Sequence, residues 1–545
     1  MNRKLLVFAF HFALIHGLFA QQKITKNLSR KFDSLLEQRD AQAPGAIVMA
    51  SLNGQPFYQK AAGLANVELQ VPLTVDAVFE AASVSKQFTA TAVLRLVEEG
   101  KLNLADDIRT YFPELPDYGQ VITIRHLLTM TSGLRDWRNI TYLMGKPTYE
   151  HVYTQDEAFE IICKQQGLNF MPGEQYSYCN SNYDLLSMLV SRITGEPFVD
   201  YATREVLARA GLEGTRWRGD PYAIVANKVQ AYNKIKDNYV QSPVLEKTHG
   251  AAGLLVNAAD LLKWADYWGA GGFGESVGAL RTQPGVLNNG DTITYACGGV
   301  WVKRLAGFTE VAHSGLLGGF RAWVAHYPEV GLSVSYLTND KSFSLTEVRE
   351  QVSSVLAVLS GPPAASEKKP LTPALLSQLP GHYRNVNGYQ VTEIKKQDDV
   401  LTLAGDTLYL SSADTLVLGS QHYVVRDSVT LELVDSDDGI VYRKAPLPST
   451  SQQQLSEFAG TYTCPDIDLT LRLEVVDGGL KAYRKPYDGV KLFPAYEADG
   501  EVGYYGFLTG LKTVFRFSRD AYGQPVLHVS IPRAENFRFN RHINL

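Results

Sequence analysis

Between residues 44 and 360 the apolar positions follow two rhythms. G-A-I-V-M-A-S-L and P-F-Y-Q-K-A-A-G read as short strands on either side of Asn53-Gly54, a dipeptide suited to a two-residue turn. Phe88, Ala92 and Leu96, with Val93 and Val97, then recur at helical spacing, and Gly100 stands where a helix-ending glycine belongs. T-I-R-H-L-L-T-M, Y-D-L-L-S-M-L-V-S-R-I and A-A-D-L-L-K-W-A-D-Y predict further helices. A-W-V-A-H-Y-P and G-L-S-V-S-Y-L predict paired strands before a last helix around residues 345–359. Strands at both ends with helices between them predict an α/β (α+β) sandwich built on a central antiparallel sheet.

The rhythm breaks at S-G-P-P-A-A-S-E-K-K-P-L-T-P, where prolines and charges replace apolar periodicity, and again at K-A-P-L-P-S-T-S. Beyond the first break two segments look like copies: L-S-Q-L-P-G-H-Y-R from Leu376 and L-S-E-F-A-G-T-Y-T from Leu455. Short alternating runs with Gly-Asp and Asp-Gly turns follow each, which predicts two small antiparallel β-barrels, lipocalin-like in size. The expected organisation is a signal peptide over 1–20, a large domain over 21–360, a linker over 361–373, and barrels over 374–446 and 447–545.

Composition narrows the function classes. A chain of 545 residues with 11% aromatics supports several folded domains, and a formal net charge of -5 without any basic block argues against a nucleic-acid partner. M-N-R-K followed by an apolar stretch and Ala20 reads as a signal peptide cleaved after Ala20, so an exported, periplasmic or secreted chain is expected. That stretch is shorter than a membrane span and holds His11 and His16, and no later segment is apolar enough to span. Cys163, Cys179, Cys297 and Cys464 are too few and scattered for a disulfide framework. Histidines are dispersed without metal-ligand spacing and no phosphate-binding glycine pattern follows a strand, so neither a metal nor a cofactor is expected.

The candidate chemistry starts at A-A-S-V-S-K-Q-F. Residues three apart share a helix face, so Ser83 meets Lys86 while Ser85 does not. A desolvated lysine can accept a serine proton, and a helix N-terminus favours the oxyanion that follows. On its own the stretch reads more commonly as a serine cap followed by a solvated lysine. Two distant stretches change that: Tyr178-Cys179-Asn180 before a helix, and His313-Ser314-Gly315 at a strand. A tyrosine oxygen and a carboxamide beside Ser83 and Lys86 would complete a proton relay.

In this order S-x-x-K, Y-x-N and H-x-G resemble the penicillin-recognising serine hydrolases, a group of class C β-lactamases, penicillin-binding proteins, esterases and D-aminopeptidases. The similarity covers roughly residues 44–359. The resemblance implies that Ser83 is acylated, Lys86 is its base, Tyr178 shuttles the proton, and Asn180 holds Lys86 and the substrate amide. It places the oxyanion between the N–H groups of Ser83 and Leu316, with Gly315 leaving room for substrate along the strand edge. Cys179 is expected to be a buried structural thiol. His313 stands where β-lactamases have lysine, which weakens the expectation of carboxylate selection.

A large domain followed by two barrels resembles the bacterial D-aminopeptidases, which implies hydrolysis of small peptide amides. The alternatives are an esterase, a β-lactamase, or a sensor or scaffold that acylates without turnover. In such peptidases a loop of the last barrel closes the subsite for a free amine. Here residues 495–506, with Glu497, Asp499 and Glu501, are the candidate, an ordinary solvated hairpin being the alternative. His249 and Trp137 are expected to be structural. A small molecule or short peptide is the expected partner, and oligomeric state is left open.

Overall fold

The computed structural model describes residues 25–542, apart from 35, 38–39, 343, 361–368, 386–390, 404, 412–413, 419–420, 434–439, 450, 485–486 and 509. The expected signal peptide, its cleavage point and most of the linker lie outside the described residues.

The large domain is organised on eight antiparallel strands: β1 (Ala46–Leu52), β2 (Gln55–Ala62), β3 (Pro284–Val286), β4 (Thr292–Ala296), β5 (Val300–Leu305), β6 (Phe308–Leu317), β7 (Phe320–Tyr327) and β8 (Leu332–Thr338). They lie in the order β3-β4-β5-β6-β7-β8-β1-β2, so the first strands of the domain close onto its last. Every residue of β1 is buried because both faces are covered, which is why its sequence is apolar without alternation. Ile47 and Met49 face a helical layer that includes α1 (Ser85–Glu98), α2 (Trp137–Met144), α3 (Asn180–Thr194) and α4 (Ala258–Gly269). Val48 and Ala50 face Leu28, Phe32 and the Val348, Val352 and Val355 stripe of α5 (Leu345–Ser360). Phe88 of α1 stacks on Trp264 of α4 with ring centroids 4.0 Å apart, joining the helices over the sheet.

The predicted helix at Ser83 begins later. Residues Ala82–Val84 form a 3₁₀ turn and α1 starts at Ser85, because Ala82 sits at φ +50, off the α-helical path. Gly100 does follow the helix end, at φ +69. T-I-R-H-L-L-T-M yields only Ile124–Leu128, capped by the Thr123 hydroxyl and ended before Met130 at φ +60. The four cysteines are all unpaired.

Two nine-stranded antiparallel sheets follow, each a nearly closed barrel, with the same strand order in each. The repeated G-x-Y explains itself in both copies. Gly381 and Gly460 turn the chain at φ +148 and +151, and the buried Tyr383 and Tyr462 hydroxyls each donate to the carbonyl four residues back. The first barrel is filled by its own side chains, Leu401, Leu416 and Leu431 among them.

Candidate active site

The turn that carries Ser83 is braced from within. Ser85 Oγ donates to the Ala82 carbonyl at 2.6 Å and accepts from the Leu254 N–H at 3.1 Å, so the serine that cannot reach Lys86 holds the left-handed turn that presents Ser83. β6 presses on the same turn: a Cβ on Gly315 would fall 2.1 Å from the Ala81 carbonyl oxygen. The missing side chain of Gly315 therefore makes room for the turn that carries Ser83.

Lys86 is wholly buried, with Nζ 3.0 Å from Ser83 Oγ, 2.9 Å from Asn180 Oδ1 and 2.9 Å from the Ala251 carbonyl oxygen. Burial, and then the Arg138 charge, hold its pKa well below the usual lysine value. A neutral amine has two N–H groups and one lone pair. In that form the Asn180 and Ala251 carbonyl oxygens would take the two N–H groups and leave the lone pair for the Ser83 hydroxyl.

Asn180, the first residue of α3, receives its orientation from Asp136. The Asp136 Oδ2 accepts from Asn180 N at 2.7 Å and Nδ2 at 2.8 Å, which turns Oδ1 to Lys86. Through Oδ1 the same carboxylate caps α2 at Arg138 N and Asn139 N. Asp136 was not singled out in the sequence. Its one local signal is a capping position ahead of W-R-N-I, which does not reveal a partner 44 residues away.

Tyr178 is hydrogen-bonded to Ser83, and burial pushes its phenol up. Its ring lies 4.7 Å from Lys86 Nζ. Between Tyr178 and Asn180, Cys179 turns away, buried with Sγ against the Leu134 carbonyl oxygen at 3.3 Å and its thiol pushed up by burial to about 12. His313 is fully buried and stacks on Trp301 at 4.2 Å, and burial lowers its pKa to about 3. Its Nδ1–H donates to the Ser314 carbonyl and its Nε2 accepts from the Tyr295 hydroxyl at 3.3 Å, so the ring is neutral and committed. Leu316 is 60% exposed and lines a cavity of about 600 Å³ with Asn180, Tyr142, Tyr149 and Glu246.

The structure thus brings Ser83, Lys86, Tyr178 and Asn180 together, with His313 and Gly315 on the adjoining strand. His249 stands apart, bound to the Arg218 carbonyl at 2.6 Å, and Trp137 is core, its indole donating to Asp184 at 2.6 Å.

The acidic segment is not at this site. Asp499 pairs with Arg384 of the first barrel, Glu501 with Arg516, and Glu497 accepts from Ser449 N. Residues 495–506 form a hairpin against the first barrel because their strands pair with each other across Asp499-Gly500, both at positive φ. A different hairpin of the second barrel arrives instead, the turn at Pro532-Arg533. Its Arg533 carbonyl accepts from Asp136 N at 2.9 Å and Asn169 Nδ2 at 3.2 Å, and the Arg533 guanidinium lies 4.6 Å from the Tyr178 ring centroid. Arg135, nearly buried, anchors the same barrel through Asp466 at 3.0 Å and the Asn536 carbonyl at 3.1 Å.

Comparison with known proteins gives this geometry its relatives. A D-aminopeptidase of Cereibacter sphaeroides is 25% identical over 81% of this chain and 83% of its own. Penicillin-binding protein 4* of Bacillus subtilis is 27% identical over 73% and 90%. An octameric penicillin-binding protein homologue from Pyrococcus abyssi shares the fold with a TM-score of 0.53 at 18% identity, covering 95% of this chain and 99% of its own. A D-amino acid amidase from Ochrobactrum anthropi does so over 62% of this chain and 98% of its own, with a TM-score of 0.51 at 21% identity. The family profile named Beta-lactamase matches residues 32–356, which include every residue assembled around Ser83 except those of the second barrel, and the chain belongs to that family of serine hydrolases.

Proposed function

We propose that the protein is an exported serine hydrolase that opens small peptide amides, D-amino acid amides among them, through an acyl-enzyme on Ser83. One observation carries this: the buried Lys86 Nζ lies 3.0 Å from Ser83 Oγ and is held by Asn180 Oδ1 and the Ala251 carbonyl oxygen, where burial keeps its pKa well below the usual lysine value. In the reaction Lys86 accepts the Ser83 proton as Oγ attacks the carbonyl. The N–H groups of Ser83 and Leu316 hold the oxyanion, and Tyr178 passes a proton to the departing amine. Tyr178 and Lys86 then activate the water that releases the acid. The free second N–H of the Asn180 carboxamide is left to hold the substrate, since the first is given to Asp136.

The relatives named D-aminopeptidase and D-amino acid amidase support the choice of amides. Recognition of a free amine by Glu497, Asp499 or Glu501 is not part of this reading, because those carboxylates lie elsewhere. The deciding experiment is steady-state hydrolysis of D- and L-alanine p-nitroanilide, a short acyl ester and nitrocefin by wild type and Ser83→Ala. Turnover of the D-amide that vanishes in the variant is expected. Dominant ester or nitrocefin turnover would replace the substrate class, and activity surviving in Ser83→Ala would overturn the mechanism. Export is part of the proposal, and a mature N-terminus other than Gln21 in the exported protein would refute the cleavage point. The large domain at 21–360 and the barrels at 374–446 and 447–545 are proposed as units, checked by limited proteolysis within 361–373 and 444–451.

A further inference from the structure

The second barrel carries an outward face that its own core does not use. Across β9 (Phe493–Ala498), β10 (Glu501–Leu508) and β11 (Leu511–Arg519), Phe493 stands opposite Tyr505, Tyr505 opposite Val514, and Phe507 opposite Lys512. Residues that are opposite each other, or two apart on one strand, share a face, so the three rings and Lys512 stand on one side of the sheet. Phe493 is 41% exposed and Phe507 56%, and the Tyr505 ring between them has its centroid 5.4 Å from the first and 6.4 Å from the second. A contiguous aromatic row, unlike a lone surface ring, marks an interaction surface.

The row borders a cavity between the two barrels. The barrels touch through Val391 and Ala445 of the first and Ala495, Tyr496 and Val514 of the second. Beside that contact lies a space of about 430 Å³, within the range of about 300–1,000 Å³ usual for small-ligand sites. Tyr505, Pro494 and Ala495 give it an apolar wall, while Thr392, Gln397 and Thr402 bring hydroxyl and carboxamide groups.

The charged groups of the cavity are not balanced. Its one carboxylate, Glu393, is met by Lys395 at 3.3 Å and by His382 at 3.7 Å. Lys512, the remaining cation, has no carboxylate partner among the described residues: its Nζ donates to the Val391 carbonyl and lies 4.9 Å from the Tyr505 ring centroid. An ammonium has three N–H donors, so the Val391 carbonyl leaves two for a ligand. Burial lowers the Lys512 pKa with no negative charge to offset it. Lys491, with Nζ 5.7 Å from the Phe493 ring centroid, is likewise without a carboxylate, and Glu501 on β10 is taken by Arg516 at 3.5 Å.

A row of rings, polar side chains along one flank and a cation without a counter-ion suit a saccharide that bears a carboxylate. The C–H face of a pyranose is weakly positive and lies on the electron-rich face of an aromatic ring. Its hydroxyl rim bonds to hydroxyl and carboxamide groups, and its carboxylate meets the ammonium.

We propose that the outer face of the second barrel, with the cavity it shares with the first, binds an acidic saccharide, Phe493, Tyr505 and Phe507 stacking on the sugar rings and Lys512 holding the carboxylate. The proposal does not depend on the acyl-enzyme reading, because neither Ser83 nor any residue assembled around it lines this cavity. It gives the two barrels a role of their own, which is to keep the hydrolase on an acidic glycan.

The test is calorimetric titration of the full chain with trigalacturonic acid and with N-acetylmuramic acid, each against its carboxyl-reduced alcohol. Wild type is expected to bind at least one acid with a Kd about tenfold or more below that of its alcohol. Phe493→Ser combined with Phe507→Ser should weaken that binding by about tenfold or more. Because both rings are exposed, this variant should melt with wild type, which separates lost binding from lost folding. Lys512→Met keeps the packed stem and removes the charge, so acid and alcohol should bind alike, while Lys512→Arg should keep the preference.

No binding of either acid, equal affinity for acid and alcohol in wild type, or unchanged binding in the ring and lysine variants would overturn the proposal. Binding of an acidic phenylalanine-containing pentapeptide (EFEFE) or of phosphatidylglycerol vesicles, with neither acid bound, would assign the face to another partner and overturn it as well. Ser83→Ala should bind the acid as wild type does, and the ring variant should turn over a short acyl ester at the wild-type rate. Acid binding in a protein that hydrolyses nothing therefore supports this site and defeats only the hydrolase reading, and ester turnover without acid binding does the reverse.

Discussion

In the proposed mechanism Lys86 acts only while it carries no proton. Its lowered pKa means that kcat/KM should rise with pH as the amine is freed and fall on the acid side with a one-proton slope, at a pH well below an ordinary lysine's titration. A pH–rate profile checks this, and an acid limb near 6.5 that disappears in His313→Gln would contradict it, because His313 is neutral down to about pH 3. Lys86→Arg installs a permanent charge and should lower kcat by roughly 10²- to 10⁴-fold. Asp136→Ala should lower kcat more than it raises KM, since it frees the Asn180 carboxamide to rotate. It should also destabilise the protein by about 3 kcal/mol, from a lost cap and lost charge-assisted hydrogen bonds, measured by denaturant titration. Ser83 and Lys86 were legible because three residues set their geometry. Tyr178 and Asn180 were legible through resemblance. Asp136 and Arg533 were not, because what they touch is decided by how separate elements dock.

The turn before α1 shows how local pattern and tertiary pressure part company. Apolar spacing found the helix, yet could not place its start, because Ala82 is left-handed only under the contact with β6 and the Ser85 brace. Ser85→Ala leaves the buried Leu254 N–H without its acceptor and removes the hydroxyl from the Ala82 carbonyl, which keeps the Ser85 N–H. A cost of about 1–3 kcal/mol and a fall in kcat with KM little changed are expected, read by thermal unfolding and steady-state kinetics. Gly315→Ala must push β6 off the nucleophile turn, so the same assays should show a larger loss of activity than of stability. The two barrels illustrate the opposite case. Their G-x-Y repeats and period-two runs were readable, because tyrosine-to-carbonyl bonds and hairpins are short-range, and the acidic hairpin at 495–506 was misplaced only because its neighbour could not be read.

Burial of imidazoles couples the whole protein to pH. His126, His249, His313, His326 and His528 all have pKa values lowered by burial, His313 to about 3 and His528 to about 4. The unfolded chain takes up protons near pH 6.5 that the folded protein refuses, so stability should be full above that pH and decline as pH falls toward 3. His313 lies in the catalytic domain and His528 in the second barrel. His528→Gln should therefore flatten the slope of Tm against pH between 6.5 and 4, and an unchanged slope would show that the barrel histidine does not contribute.

The docking of Pro532-Arg533 beside Tyr178 also sets an order in time. The chain is made from its amino end, and residue 178 leaves the ribosome long before residue 533. At ordinary synthesis rates of about 5–20 residues per second that interval is tens of seconds. The serine, its lysine and its tyrosine can thus be in place while the wall beside them is still unwritten, and newly made hydrolase passes through a stage in which the cleft is open on the side that the second barrel will occupy.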